Sequence, residues 1–99
     1  MSENPKPKIV VTRKIPLAVS KLLQANFDAE LNETDIPFSK KELQAALQRA
    51  DGILCTVSDQ IQKDIIQVTN RRISIISNFG VGVSNIDVKE AEKERLVVT

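Results

Sequence analysis

The chain has 99 residues, and its 14 basic and 13 acidic side chains give a net charge of +1. This length allows one small domain. The balanced charge, with three Phe and no Tyr or Trp, argues against nucleic acid or an acidic membrane as partner. The sequence contains no histidine, which excludes a His base, a His triad and the usual His-containing zinc sites. We therefore predict no catalytic residue and no metal site in this chain.

Strand-like and helix-like patterns alternate after a polar tail, residues 1–7, which we expect to be disordered. Residues 8–13 (KIVVTR) predict a strand buried on both faces. Pro16 suits the first turn of a helix. The apolar stripe of that helix would consist of Val19, Leu22 and Leu23. Residues 27–33 alternate apolar and polar side chains, which predicts an edge strand with one solvated face.

The second half of the chain continues the alternation. Ser39 and Glu42 form a capping-box pattern for a helix with an apolar face of Leu43, Ala46, Leu47 and Ala50. Residues 51–56 predict a short buried strand after a turn at Asp51-Gly52. A helix that Ser58 would cap comes next, with Ile61, Ile65 and Val68 as its apolar face. Residues 73–77 predict a fourth strand. Asp87, with Glu90 three residues later, would cap the last helix before a strand over 96–99.

The order βαβαβαβαβ predicts an α/β fold with a parallel sheet and right-handed crossovers. We expect a flavodoxin-like, three-layer arrangement with strand order 2-1-3-4-5, because the second strand has the alternation of an edge strand. The last strand runs to Thr99, where such folds normally add a covering helix. We therefore expect the fold to be incomplete at the C-terminus, with part of the sheet uncovered, and the chain to be a piece of a longer one.

The most distinctive segment is ISNFGVGVSNIDV, residues 76–88, with Gly80 and Gly82 after the fourth strand. As a dinucleotide fingerprint it is a near miss, because Asn85 stands where the third glycine belongs and the loop does not open the fold. A second interpretation is a tight turn in which both glycines supply a positive φ. A third is a small-anion site, in which backbone N–H groups of the loop hold a carboxylate.

Residues 51–61, 76–88 and 97–99 together resemble the N-terminal part of the D-isomer-specific 2-hydroxyacid dehydrogenases, with the glyoxylate and hydroxypyruvate reductase branch as the nearest likeness. The N-x-G-V-G-x-x-N-I-D segment is the most specific part. The resemblance implies that residues 8–99 are a portion of a substrate domain. It also implies a homodimeric enzyme that reduces 2-keto acids to D-2-hydroxy acids with NAD or NADP. The cofactor and the catalytic Arg, Glu and His would belong to a Rossmann domain absent from this chain, so we predict that the chain alone is inactive.

Carried onto this sequence, the resemblance places the substrate carboxylate on main-chain N–H groups of Val81 and Gly82, in the loop that Gly80 opens. It also directs the loop after the third strand, with Cys55 and Thr56, toward the substrate. From the residues alone, Cys55 is a small packing group and Thr56 a turn residue. Asn78 and Asn85 would support the glycine loop.

Other side chains have simpler interpretations. Glu90 and Glu92 indicate a solvated helix face. Arg95 stands where the resembled family usually has the glycine that ends its last helix, so a left-handed turn there would be strained. Two other functions remain: a stand-alone, non-catalytic module that binds small acids, and a phosphoacceptor domain. The second is disfavoured because the end of the first strand, residues 12–14, is basic rather than acidic. The free Cys55 and the lack of a signal-like segment favour the cytoplasm.

Overall fold

The computed structural model describes residues 6–80 and 82–99, in which five strands and four helices alternate. The strands are β1 (Lys8–Val11), β2 (Asp28–Glu30), β3 (Gly52–Thr56), β4 (Ile75–Phe79) and β5 (Val97–Val98). The helices are α1 (Leu17–Asn26), α2 (Lys40–Arg49), α3 (Lys63–Ile66) and α4 (Val88–Lys93). All neighbouring strands are parallel and the order is β2-β1-β3-β4-β5, which confirms the predicted sheet.

The main core lies on the sheet face covered by α2, α3 and α4. Side chains alternate along each strand, so Val10, Ile53 and Ile76 share this face, and each is at most 1% exposed. The capping box of α2 forms as predicted. Ser39 Oγ accepts from Glu42 N–H, and Glu42 Oε1 accepts from Ser39 N–H. The predicted face of α2 is buried in this core: Leu43, Ala46, Leu47 and Ala50.

Helix α1 covers the opposite face only over β1 and β2. It begins at Leu17, with Pro16 as the residue before it, and its predicted apolar stripe is wrong in part because Leu22 is 65% exposed. The side chain that α1 buries is Ser20, whose hydroxyl donates to Leu17 O. Beyond α1 the sheet is open, and Val97 and Phe79 are 55% and 43% exposed. None of the helices in the described residues is long and apolar enough to cross a lipid bilayer.

Three local predictions in the second half are wrong. Ser58 does not cap α3, because the N-cap of that helix is Gln62. The Ser58 hydroxyl instead contacts Thr56 and Arg13. Helix α3 is also shorter than predicted, because Ile61 pairs with Ile86 in a β-bridge. Strand β4 begins and ends two residues later than predicted, since its register pairs Asn78 with Cys55 and Phe79 with Thr56.

The last helix differs from the prediction in one side chain. Asp87 accepts from Glu90 N–H at 3.0 Å, as predicted for a cap. The Glu90 side chain, however, is not solvated: the residue is 6% exposed and accepts from Gln67 Nε2 at 2.9 Å. Arg95 follows α4 with φ +64°, the left-handed conformation that the sequence marked as strained.

Two predictions concern residues that are not among those described. These are Val81 and residues 1–5 of the predicted tail. Pro7, at the end of that tail, is held against the sheet, because its carbonyl oxygen accepts from Asp28 N–H at 3.0 Å.

Candidate functional site

The carboxyl ends of β1, β3 and β4 meet at one edge of the sheet. The strand order reverses between β1 and β3, which is where open α/β sheets form a crevice for ligands. Three loops leave this edge: residues 12–16 after β1, residues 57–62 after β3, and residues 80–87 after β4. We call this group of loops the carboxyl-edge site.

The glycine loop after β4 takes the backbone conformations that glycine permits. Gly82 has φ +81° and Gly80 has φ +157°, which confirms the predicted positive values. A Cβ built on Gly82 would meet no described atom within 4 Å, so the loop surface is open there. A Cβ on Gly80 would lie 3.1 Å from Val57 Cγ1, which places the loop after β3 directly beside the glycine loop.

Two asparagine side chains lie beneath this loop and contact each other. Asn78 Nδ2 donates to Asn85 Oδ1 at 3.1 Å, and Asn85 Nδ2 lies 3.3 Å from Asn78 Oδ1. Asn78 Nδ2 also donates to the carbonyl oxygen of Gly82 at 2.8 Å. Asn85 is 4% exposed, and its Nδ2 donates to Thr56 O at 3.0 Å and to Asp59 O at 2.9 Å. Asn78 thus bonds to the glycine loop, and Asn85 bonds that loop to the loop after β3.

A buried carboxylate, Asp59, joins the ends of β1 and β3. It is 3% exposed, and its Oδ2 accepts from the Thr12 hydroxyl and from Thr56 N–H at 2.9 Å. Thr12 itself is 0% exposed. Sequence reasoning missed this residue. The available signal was an Asp three residues after a strand end, a spacing at which a carboxylate can accept a backbone N–H of its own turn.

Cys55 and Thr56, both predicted to face the substrate, occupy different environments. Cys55 is 0% exposed, and its thiol lies 3.5 Å from both Ser77 O and Asn78 Oδ1. Burial, followed by the nearby charge of Asp59, raises the pKa of this thiol to about 12. The geometry therefore gives Cys55 a packing position. Thr56 is partly exposed, and its hydroxyl lies 2.8 Å from Ser58 Oγ.

Arg13 connects to this network through Ser58. Its Nη1 donates to Ser58 Oγ at 2.7 Å and its Nε donates to Asp35 Oδ1 at 2.9 Å. The bond from Arg13, followed by one from Lys14 N–H, holds the pKa of the Asp35 carboxyl below its usual range. Arg13 also lines a groove of about 100 Å³ between β1, α1 and the segment after β2. The remaining lining residues are Val11, Lys14, Ile15, Leu17, Ser20, Leu31, Asn32 and Glu33.

The polar side chains of the carboxyl-edge site bond chiefly to one another. Within residues 6–80 and 82–99, no group of three or more Cys, Asp or Glu side chains is arranged to hold a metal ion. The polar side chains beneath the loops are bonded to one another, and the backbone of the glycine loop is open at Gly82. Such a site can bind and orient a small anion.

Comparison with known proteins gives a consistent result. The profile of the D-isomer specific 2-hydroxyacid dehydrogenase catalytic domain matches residues 9–99. A glyoxylate reductase of Thermococcus onnurineus is 32% identical over 94 residues, which are 95% of this chain and 28% of that enzyme. The chain thus spans less than a third of that relative's length.

Solved structures show the same fold. A Polaromonas protein, described as a D-isomer specific 2-hydroxyacid dehydrogenase, matches with a TM-score of 0.87 and 22% identity over 95% of this chain and 30% of its own. An NADPH-dependent glyoxylate/hydroxypyruvate reductase of Sinorhizobium meliloti, in complex with NADP and malonate, matches with a TM-score of 0.71 and 26% identity. That match covers 95% of this chain and 28% of that one.

Proposed function

The chain belongs to the D-isomer-specific 2-hydroxyacid dehydrogenase family, and we propose that it supplies part of the substrate domain of such an oxidoreductase. The full enzyme would interconvert 2-keto acids and D-2-hydroxy acids, with a short acid such as glyoxylate or hydroxypyruvate as substrate. In this proposal the backbone N–H groups of the glycine loop hold the substrate carboxylate. The relatives support this class, since the Thermococcus and Sinorhizobium proteins are glyoxylate or glyoxylate/hydroxypyruvate reductases.

The open backbone at Gly82 is the observation that carries the proposal. With no side chain and no described atom within 4 Å of its missing Cβ, this position lets a small acid approach the main chain. Asn78 draws the Gly82 carbonyl oxygen inward. Because C=O and N–H point in opposite directions across a trans peptide, the N–H of Val83 then points away from Asn78. We place Val81, Gly82 and Gly80 in the anion-holding loop, with Thr56 at its neighbouring edge.

The described residues do not fit a dinucleotide. At the position of the third fingerprint glycine, the Asn85 side chain is buried beneath the loop and donates to two carbonyl oxygens. We therefore place the NAD or NADP site outside this chain. The reduced cofactor, NADH or NADPH, would supply the hydride that reduces the 2-keto acid, whereas the residues described above would bind and orient that acid. The chain by itself should not oxidise NAD(P)H with glyoxylate, and turnover above the uncatalysed background would contradict that expectation.

An NMR titration of the uniformly ¹⁵N-labelled chain tests the carboxylate site. Glyoxylate and hydroxypyruvate should shift the amide signals of Gly80, Gly82 and Val83, with affinities in the millimolar range, about −4 kcal/mol. Gly82→Ala forces a side chain onto φ +81° and should weaken binding. Ser84→Ala, a change at an exposed neighbour, is the matched control and should bind normally. Shifts confined to residues far from the carboxyl edge, or equal losses in both variants, would exclude this site.

We also propose that the protein acts in the cytoplasm, and that a full-length relative of this kind would form a homodimer. The single cysteine, buried and with a raised pKa, requires no oxidising compartment. Size-exclusion chromatography with light scattering, on the longest natural product of the gene, tests the dimer. A monomeric mass would contradict it.

A further inference from the structure

The bonding of the Asp59 carboxylate is unusual for a buried acid. Desolvating a carboxylate is costly unless it is well compensated. Within the described residues, no Lys or Arg forms an ion pair with Asp59. Its bonds come from neutral donors at the ends of two strands, the hydroxyl of Thr12 just after β1 and the N–H of Thr56 at the end of β3, with the Thr56 hydroxyl at 3.4 Å. Without the carboxylate both donors would be unpaired in a buried place, so Asp59 ties the end of β1 to the end of β3.

The turn that Asp59 closes presents two acceptors to the glycine loop. Asp59 N–H donates to Thr56 O at 2.9 Å, while its carboxylate accepts Thr56 N–H, so residues 56–59 are held at both ends. The carbonyl oxygens of the same two residues both accept from Asn85 Nδ2. The position of Asn85 therefore depends on the shape of the turn.

Asn85 in turn sets the glycine loop. Its Oδ1 accepts from Asn78 Nδ2, and that same nitrogen donates to Gly82 O. The Asn85 carbonyl oxygen accepts from Ile61 N–H at 2.9 Å, which ties the loop after β4 to the loop after β3 a second time. Contacts thus run without a break from Thr12 through Asp59 and the two asparagines to Gly82, across three strand ends.

We propose that Asp59 is a positioning residue that holds the glycine loop in its anion-accepting conformation, with Thr12 as its support. Asp59 acts through Asn85 and Asn78 and does not touch the acid. This inference rests on the proposed function, because it explains how the carboxylate-binding loop is preorganised before the acid binds. The fixed turn removes the ordering that a mobile loop would need on binding.

Four substitutions in the 99-residue chain test the proposal. Asp59→Ala removes the acceptor, and Asp59→Asn keeps an oxygen in its place. Thr12→Val removes one donor without changing the shape. Ala46→Gly, in α2 and outside the network, is the stability control, because it loosens a buried helix position. Each variant is measured by NMR for glyoxylate affinity and for hydrogen exchange of the Gly82 and Val83 amides.

We expect Asp59→Ala to weaken glyoxylate binding about tenfold and Thr12→Val about threefold, the range that corresponds to one hydrogen bond. Both should speed exchange of the two loop amides. Asp59→Asn should stay within about twofold of wild type, and so should Ala46→Gly even though its melting temperature falls. If Asp59→Ala does not fold, the proposal is tested by comparing the glyoxylate affinity and the amide exchange of Thr12→Val with those of Ala46→Gly.

Three results would overturn the proposal: unchanged binding in Thr12→Val, equal loss in Asp59→Asn and Asp59→Ala, or equal loss in Ala46→Gly and Thr12→Val. Failure of the proposed function gives a different pattern. In that case the wild-type chain binds no 2-keto acid, whereas faster exchange of the Gly82 amide in Thr12→Val, and not in Ala46→Gly, still supports the positioning role.

Discussion

Two aspartates, Asp51 and Asp59, connect the same two strands at opposite ends. Asp51 precedes β3, and its carboxylate accepts from Lys8 N–H, at the start of β1, at 2.7 Å. Asp59 follows β3, and its carboxylate accepts from Thr12, just after the end of β1. Asp51 keeps a 32% exposed side chain and pairs with Arg72 at 2.9 Å, whereas Asp59 is 3% exposed and is bonded by neutral groups.

Asp51 thus helps to hold the strands of the sheet together, whereas Asp59 helps to shape the loops of the proposed binding site. At the amino edge, water and Arg72 share the charge of Asp51, so the contact there is replaceable and is screened by salt. At the carboxyl edge, the buried polar groups are bonded to one another, and Asn85 and Asp59 also bond to groups of other loops, so one altered side chain disturbs several. We therefore expect substitutions at the two edges to differ in size and in kind.

The largest effect on stability should come from Asp59→Ala. The change leaves the Thr12 hydroxyl and the Thr56 N–H without their acceptor in a buried place, which should lower the free energy of unfolding by about 2–4 kcal/mol. Urea unfolding followed by circular dichroism measures this loss. A loss no greater than that of Asp51→Ala would remove the proposed contrast between the two edges.

A smaller loss is expected from Gly52→Ala, beside Asp51 at the amino edge. Gly52 is buried between β1 and β4, and an added Cβ would lie 2.9 Å from both Ile75 Cγ2 and Ile9 Cδ1. The crowding should cost about 1–3 kcal/mol in the same unfolding assay. Because the carboxyl edge is not touched, the amide signals of residues 80–87 should stay in place. Large shifts there would show that the two edges are coupled.

Arg95→Gly should stabilise the chain. Arg95 precedes β5 with φ +64°, a conformation that costs a side-chain-bearing residue about 1 kcal/mol and costs glycine little. After the entropy that glycine adds to the unfolded chain, a net gain of about 0.5 kcal/mol should remain. Arg95→Ala is the control, since it removes the charge but keeps the Cβ, and it should bring no gain. Equal stabilisation by both changes would point to charge instead of strain.

The smallest effect should be the acid dependence that Asp51 provides. The N–H of Lys8, followed by Arg72, lowers the pKa of this carboxyl from its ordinary 3.8. A lowered folded pKa gives stability that is present above pH 3.8 and lost as pH falls through the folded value. Asp51→Asn should thus be slightly less stable than wild type at pH 6, and the difference should disappear as pH falls through the folded pKa of Asp51. Asp28→Asn, on the exposed edge strand, is the control; a pH-independent gap for Asp51→Asn would contradict this.

Sequence reasoning succeeded where the deciding contacts are close in the chain. The Ser39–Glu42 capping box and the Asp87 cap each span three residues, and the conformations of Gly80 and Gly82 follow from glycine itself. The strand order followed from the alternating pattern. The family followed from the segment around the glycine loop, and the profile match confirms it.

The failures share a different cause, which is a partner distant in sequence. Asp59 was missed because Thr12 lies 47 residues away. Glu90 was wrongly predicted to be solvated because its donor, Gln67, lies at the C-terminal end of a different helix, α3. Leu22 fits a helical stripe, but α1 covers only the edge of the sheet, so the stripe has little to pack against. Periodicity predicts which side chains share a face and does not show what lies opposite that face.

The Asn85 amide gives the glycine loop a chemical vulnerability. Its Nδ2 contacts two carbonyl oxygens, those of Thr56 and Asp59. Spontaneous hydrolysis of this side chain to aspartate would set a carboxylate oxygen against both of them, and repulsion would replace two hydrogen bonds. Burial shields the amide from the water that this ageing reaction consumes. The same packing that shapes the loop therefore also slows its chemical ageing, and the protection should fail first when the chain is stored partly unfolded.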